Sequence, residues 1–194
     1  MWKVFHCKGY LWDTHCAFHS QQDPVRFFFL GKSITLGFNM KTILLFTVVL
    51  IAFLSECEAV TFGQLCSGNS NNQRRSNDKW GAGNYGAKRG DRVHQGLDIV
   101  CKDGATVYAP FDVKLNGKVI VYTDPKKAAI NNGINLSGEG LCFKLFYVKP
   151  DKTSGEVKKG QKIGTMLPMQ SVYPGITSHV HVQMCDKSDP TKYF

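Results

Sequence analysis

A mainly β fold, an antiparallel sheet or sandwich with long loops and little helix, is what this sequence predicts, on three observations. From Leu97 onward, short runs rich in β-branched and aromatic residues alternate with turn residues. No stretch repeats its apolar residues at helical spacing. One Asn-Gly pair sits between two of the β-rich runs. Closely spaced strands without a long amphipathic segment favour antiparallel pairing, because a hairpin needs only a few connecting residues where a parallel crossover needs a dozen.

Residues 64 to 92 are rich in Gly, Asn, Ser, Arg and Lys and read as loop, with room for one irregular turn of helix. Strands are expected at 97–100, 106–109, 113–115 and 118–122. Asn116-Gly117 between the last two is a hairpin signal, because that pair tolerates the positive φ angles of a tight type I′ turn. Further strands are expected at 133–136 and 141–148, joined through Ser137-Gly138-Glu139-Gly140. Residues 157 to 166 read as a turn feeding another strand, and 178–184 supplies the last. Helix is expected only near 125–130, and the chain shows neither an internal repeat nor a linker.

A length of 194 residues fits one domain, able to bury roughly two-thirds of the surface its extended chain exposes. Hydrophobic content of 43% with 20% charged residues excludes wholesale disorder. The formal charge of +9 favours anionic partners, although charge alone does not choose among nucleic acid, lipid, acidic glycan or an acidic receptor face.

Met40-Lys41, the apolar run of residues 42–54 and the closing Ser55-Glu56-Cys57-Glu58-Ala59 read as a secretory signal peptide at 40–59, cleaved after Ala59. The apolar run is too short to span a bilayer, which takes about 20 residues, so no stable membrane span is expected once it is removed. Residues 1–39 before it read as an upstream leader outside the mature protein. Their His6, Cys7, His15, Cys16 and His19 match no paired-ligand spacing.

That leaves 60–194 as the folded domain, with 19 Lys and Arg against 11 Asp and Glu, a net of +8. It keeps four cysteines, Cys66, Cys101, Cys142 and Cys185; an even number in an exported chain favours two disulfides, with three pairings open.

The same segment holds only three histidines, in the strings His94-Gln95-Gly96-Leu97-Asp98 and His179-Val180-His181. Imidazole plus one carboxylate is a ligand set that suits zinc with an open coordination position. Alternate residues of a strand share a face, so His179 and His181 point the same way about 7 Å apart and both can approach one ion. Four residues of flat strand would hold His94 and Asp98 about 13 Å apart, so the chain must bend between them, and Gly96 permits it.

These strings, with Gly104, Val107 and Ala109 following, resemble the lysostaphin-type (M23) zinc peptidases, which cut peptide bridges in bacterial cell walls. Asn131-Asn132-Gly133, Phe146-Tyr147-Val148-Lys149-Pro150, Tyr173-Pro174-Gly175-Ile176 and Ser188-Asp189-Pro190-Thr191 are similar to the secreted leukocyte chemotaxins of vertebrates, over essentially all of 60–194. The resemblance implies the lysostaphin-type fold, one zinc ion held by His94, Asp98 and His181, and disulfides Cys66–Cys101 and Cys142–Cys185. In the peptidases a histidine at the place of His179 assists the attacking water, and a further histidine, in a Tyr-x-His-Leu string, stabilises the oxyanion.

This chain has Phe146-Tyr147-Val148-Lys149 at that place and no spare histidine beyond residue 60. Losing one preorganised oxyanion partner typically lowers the rate about 100-fold to 1,000-fold. No catalytic residue is therefore expected, and His179 is the vestigial active-site candidate. The chemotaxins usually carry a third disulfide in the amino-terminal loop, where this chain has Ser76 and Ala82, so a less constrained loop is expected.

The function expected from the resemblance is a secreted, extracellular signal for leukocyte chemotaxis, acting through cell-surface receptors on leukocytes or other cells. Acidic glycans are secondary partners of the basic surface, and no specific nucleic acid is expected. An active zinc endopeptidase on bacterial wall peptides is the alternative. Asn135-Leu136-Ser137 is a glycosylation sequon inside an expected strand.

Overall fold

The computed structural model describes residues 59 to 194. The leader at 1–39, its histidines and cysteines, and all of the signal segment except Ala59 lie outside the described residues. Eleven strands follow one another: β1 Lys88–Arg89, β2 Arg92–Val93, β3 Leu97–Val100, β4 Thr106–Tyr108, β5 Val113–Val119, β6 Gly133–Gly138, β7 Leu141–Phe146, β8 Val148–Pro150, β9 Ser154–Val157, β10 Lys162–Met166 and β11 His179–Met184. The mainly β expectation holds.

Six strands form an antiparallel sheet in the order β3-β11-β7-β6-β5-β9, three form a smaller sheet in the order β4-β10-β8, and β1 pairs only with β2. Alternation decides which way the large sheet faces. Ile134 and Leu136 of β6, Leu141, Phe143 and Leu145 of β7, and Val180, Val182 and Met184 of β11 are all buried on the core side. Phe62, Phe111 and Phe143 meet edge to face in that core, with ring centroids 4.9 to 5.6 Å apart. Such contacts add to the stabilisation from area burial.

Four elements depart from the sequence expectation. Asn116-Gly117 is no hairpin turn. It lies inside the continuous strand β5, where the register to β6 shifts between Leu115 and Lys118 and Gly117 takes φ +108°. Asn116 pairs with Ser154 and Gly117 N donates to Thr153 O, so β9 captures the residues that a turn would have left free.

The run expected at 141–148 breaks at Tyr147, φ +66°, which sends the chain from the large sheet (β7) into the small one (β8). The expected helix is a 3-10 turn at Pro125–Ile130, capped by the Asp124 side chain on Lys126 N, and two more 3-10 turns lie at Met169–Ser171 and Pro190–Tyr193. Residues 64–92 carry isolated bridges and the β1–β2 hairpin in place of a helical turn.

Disulfides join Cys66 to Cys101, just beyond β3, and Cys142 of β7 to Cys185, just beyond β11. Among the described residues no helix is long and apolar enough to cross a membrane.

Candidate metal centre

The β3–β11 register sets His181 directly opposite Asp98, and the β11–β7 register sets His181 opposite Phe146, whose ring stacks on the imidazole at 5.1 Å. Two residues along β11, His179 shares that face. His94 arrives from the other side of the bend. Its backbone N donates to Ala87 O and its C=O accepts from Gly86 N, which fixes it to the β1–β2 hairpin.

The chain bends at Gly96, as expected, and the structure shows why glycine is needed there. Gly96 does not take a positive φ; a Cβ there would lie 2.5 Å from the His181 ring and from Val182 O, so the residue is needed for close approach to β11.

Three acceptor atoms converge. His94 Nε2 lies 2.9 Å from His181 Nδ1, and each lies 3.0 Å from Asp98 Oδ1. The His94 Nδ1–H donates to Asn84 O at 2.8 Å, which leaves Nε2 as a lone-pair donor aimed inward. Neighbouring ligands on a tetrahedral zinc with bonds of about 2.0 Å stand about 3.3 Å apart, so His94, Asp98 and His181 would hold one such ion. The three residues are buried, and a single cation satisfies all three inward-facing atoms together.

The other carboxylate oxygen is also held. Arg75, itself buried, donates from one terminal nitrogen to Asp98 Oδ2 at 3.0 Å and grips Asp78 with its other two nitrogens at 3.0 and 2.6 Å. Burial pushes the Asp98 carboxyl up, but His179, His181 and His94 around it outweigh burial and hold it well below the usual carboxylate range. Burial dominates at His179, whose imidazole is pushed down to about 4 against the pull of Asp98, 3.4 Å from its Nε2. His179 Nδ1–H donates to Thr177 O at 2.7 Å, so its Nε2 faces the centre unprotonated at neutral pH.

The centre opens into a cleft of about 490 Å³. Facing His179 is Tyr147, its ring edge-on to the imidazole at 5.7 Å and its hydroxyl 2.7 Å from that of Tyr122. Burial raises both phenols, Tyr147 to about 12, so both remain protonated donors across the neutral range.

Sequence reading singled out the metal strings but neither Arg75 nor the Tyr122–Tyr147 pair. Arg75 stands 23 residues before Asp98 in a stretch without periodicity, and nothing local marks it. Ser76 and Ala82, where a third disulfide was expected to be missing, lie in a segment tied down by other means. Arg75 N donates to Asp98 O, Asp98 N donates to Gly83 O, and Arg89 donates to Ala82 O.

Residues 92–192 match the model of peptidase family M23. Leukocyte cell-derived chemotaxin-2 of Bos taurus is 50% identical over 147 residues, 76% of this chain and 96% of that protein, and its Mus musculus counterpart is 50% identical over 149 residues, 76% and 97% respectively. Among solved structures, Helicobacter pylori Csd3 is similar at a TM-score of 0.46 and 18% identity, covering 72% of this chain and 34% of that one.

Proposed function

The chain belongs to peptidase family M23 and groups there with leukocyte cell-derived chemotaxin-2, and from that premise we propose that it is a secreted, zinc-binding chemotactic signal whose peptidase site no longer turns over. One observation carries the reading. The ligand triangle of His94, Asp98 and His181 is intact, while the wall across from His179 presents Tyr147 and Tyr122 where a hydrolase needs its second histidine.

A bound zinc would supply positive charge and Lewis acidity at that point. The chain's own residues do the rest of the work. Arg75 orients Asp98, Asn84 fixes the His94 tautomer, and Thr177 aims His179 inward. Without an oxyanion partner the same arrangement contributes mainly to folding, since metal binding to a site made by long-range pairing is folding free energy.

Export is supported by the apolar segment after Met40 and by two disulfides, which persist in oxidising compartments. Its partners in this reading are cell-surface receptors on leukocytes, with acidic glycans drawn to the +8 surface by charge alone.

The second reading, a slow endopeptidase, is favoured by His179, whose Nε2 already lies beside the triangle. Protein recovered from culture medium decides between them when three quantities are measured together: metal content by mass spectrometry, leukocyte migration and hydrolysis of a glycine-rich peptide. The proposal expects about one zinc per chain, dose-dependent migration and no turnover. Turnover that disappears in His179→Ala would overturn it.

A further inference from the structure

We propose that the cleft over the metal centre is a docking site for an acidic peptide segment of a partner protein, with a carboxylate against Arg92 and an adjoining apolar side chain against Trp80 and Val93. The inference rests on the reading of the chain as a signal and names the chemistry that its cleft would recognise.

Charge comes first. Three arginines line the cleft against one carboxylate, Asp98. Arg75 lies between Asp98 and Asp78 and offsets one of these two carboxylates. Arg89 donates to the carbonyls of Lys88 and Ala82 and lies 3.9 Å from Asp98 Oδ2, so it offsets the second of the two carboxylates. Arg92 is exposed and has no side-chain partner among the described residues. Lys127 stands 4.6 Å over the Tyr122 ring and Lys79 5.6 Å over Trp80, which adds two more cations at the rim.

Apolar exposure is the second, independent observation. Among the described residues the exposed large hydrophobics are Trp80 at 41%, Val93 at 54% and Ile120 at 61%. Trp80 and Val93 line the cleft, and Ile120 adjoins Val121, which also lines it. An exposed Trp and Arg with half-buried Tyr around one concavity are the composition of an energetic hot spot in a protein interface.

Arg92 and Val93 both line the cleft, so a cation and an apolar surface are both available to a bound chain. A sulfated glycan would have no use for that apolar surface, and the exposed lysines of β5, Lys114 and Lys118, lie outside the cleft. A volume of about 490 Å³ admits a few side chains of an extended segment.

Trp80 is the sole tryptophan from residue 60 onward, so its emission reports occupancy of the rim. The protein from culture medium is titrated with a short acetylated and amidated peptide bearing one glutamate flanked by leucines, and with its glutamine twin. The glutamate peptide is expected to change Trp80 emission saturably and to bind about tenfold more tightly than the twin, the size of effect that a charge-assisted pair supports.

Arg92→Gln should remove that preference while leaving the twin unchanged, Val93→Asp should weaken both peptides, and Lys114→Gln should alter neither. Equal affinity of the two peptides, or an unaltered preference in Arg92→Gln, overturns the inference, as does a heparin hexasaccharide that binds the cleft where the glutamate peptide does not. Zinc content and migration are measured on the same protein. If both are present without discrimination between the peptides, only the docking site falls; if both are lost, the underlying signal reading falls.

Discussion

One face of the large sheet carries two contrasting regions. Toward β3 and β11 its outward side chains are Asp98, His179 and His181, all buried; toward β5 the same face carries Lys114, exposed and opposite Ser137 on one side and Glu156 on the other. Both regions are polar and both obey the same strand alternation. They differ in the cover. Residues 75–94 fold over the first region through Arg75, Gly83 and His94. The difference teaches that the loop, rather than the sheet, turns a polar row into a high-stakes network, since charges matter most where water is excluded.

The contrast can be tested by breaking each region in turn. Asp98→Ala removes a ligand and leaves Arg75 without one of its two anions; it is expected to lose bound zinc and about 3–5 kcal/mol in urea unfolding. Chelation comes next. With free zinc at roughly a hundred times Kd, mass action contributes about 2.7 kcal/mol, so a chelator should lower the stability of the parent protein by that order and leave Asp98→Ala unchanged.

In the second region the largest effect should come from the backbone: Gly117→Ala, at φ +108°, is expected to lose about 1–2 kcal/mol in the same unfolding measurement.

Acid separates the two regions differently. Burial raises the Asp78 carboxyl, but the hydrogen bonds from Arg75 and from the backbone of Thr177 and Trp80 outweigh it and hold the group well below the usual carboxylate range. The folded state therefore binds this proton later than the unfolded one. Its stabilisation is complete above the unfolded pKa of about 4 and is lost as pH falls toward the lower folded value. Unfolding midpoints measured between about pH 2 and 5 should fall less steeply in Asp78→Asn than in the parent. At the bottom of the scale, Lys114→Ala should change stability by less than about 0.5 kcal/mol, and a larger loss would erase the contrast.

Much of the sheet was legible because alternation is local. Leu141, Phe143 and Leu145 announce a strand with one buried face whatever lies beside it. Asn116-Gly117 was misread for the complementary reason: it satisfies turn chemistry locally, but β9, some 40 residues on, decided that the strand continues. The His94, Asp98 and His181 strings were visible as chemistry, yet their meeting depends on a register between residues 83 apart, and the ligand set came from resemblance rather than spacing. Cysteine count gave two disulfides but left three pairings open, and only resemblance singled one out. Resemblance marked the Tyr147 string as standing in the oxyanion histidine's place, but Arg75 and Tyr122 were illegible, because each acts through a partner distant in sequence.

The left-handed elbow at Tyr147 joins the two sheets and also forms the wall of the cleft. A histidine placed at this elbow would meet no backbone obstacle, since histidine is among the side chains most often tolerated in that backbone region. What the exchange would remove is the Tyr147 hydroxyl, leaving Tyr122 to its other phenol partner, Tyr173.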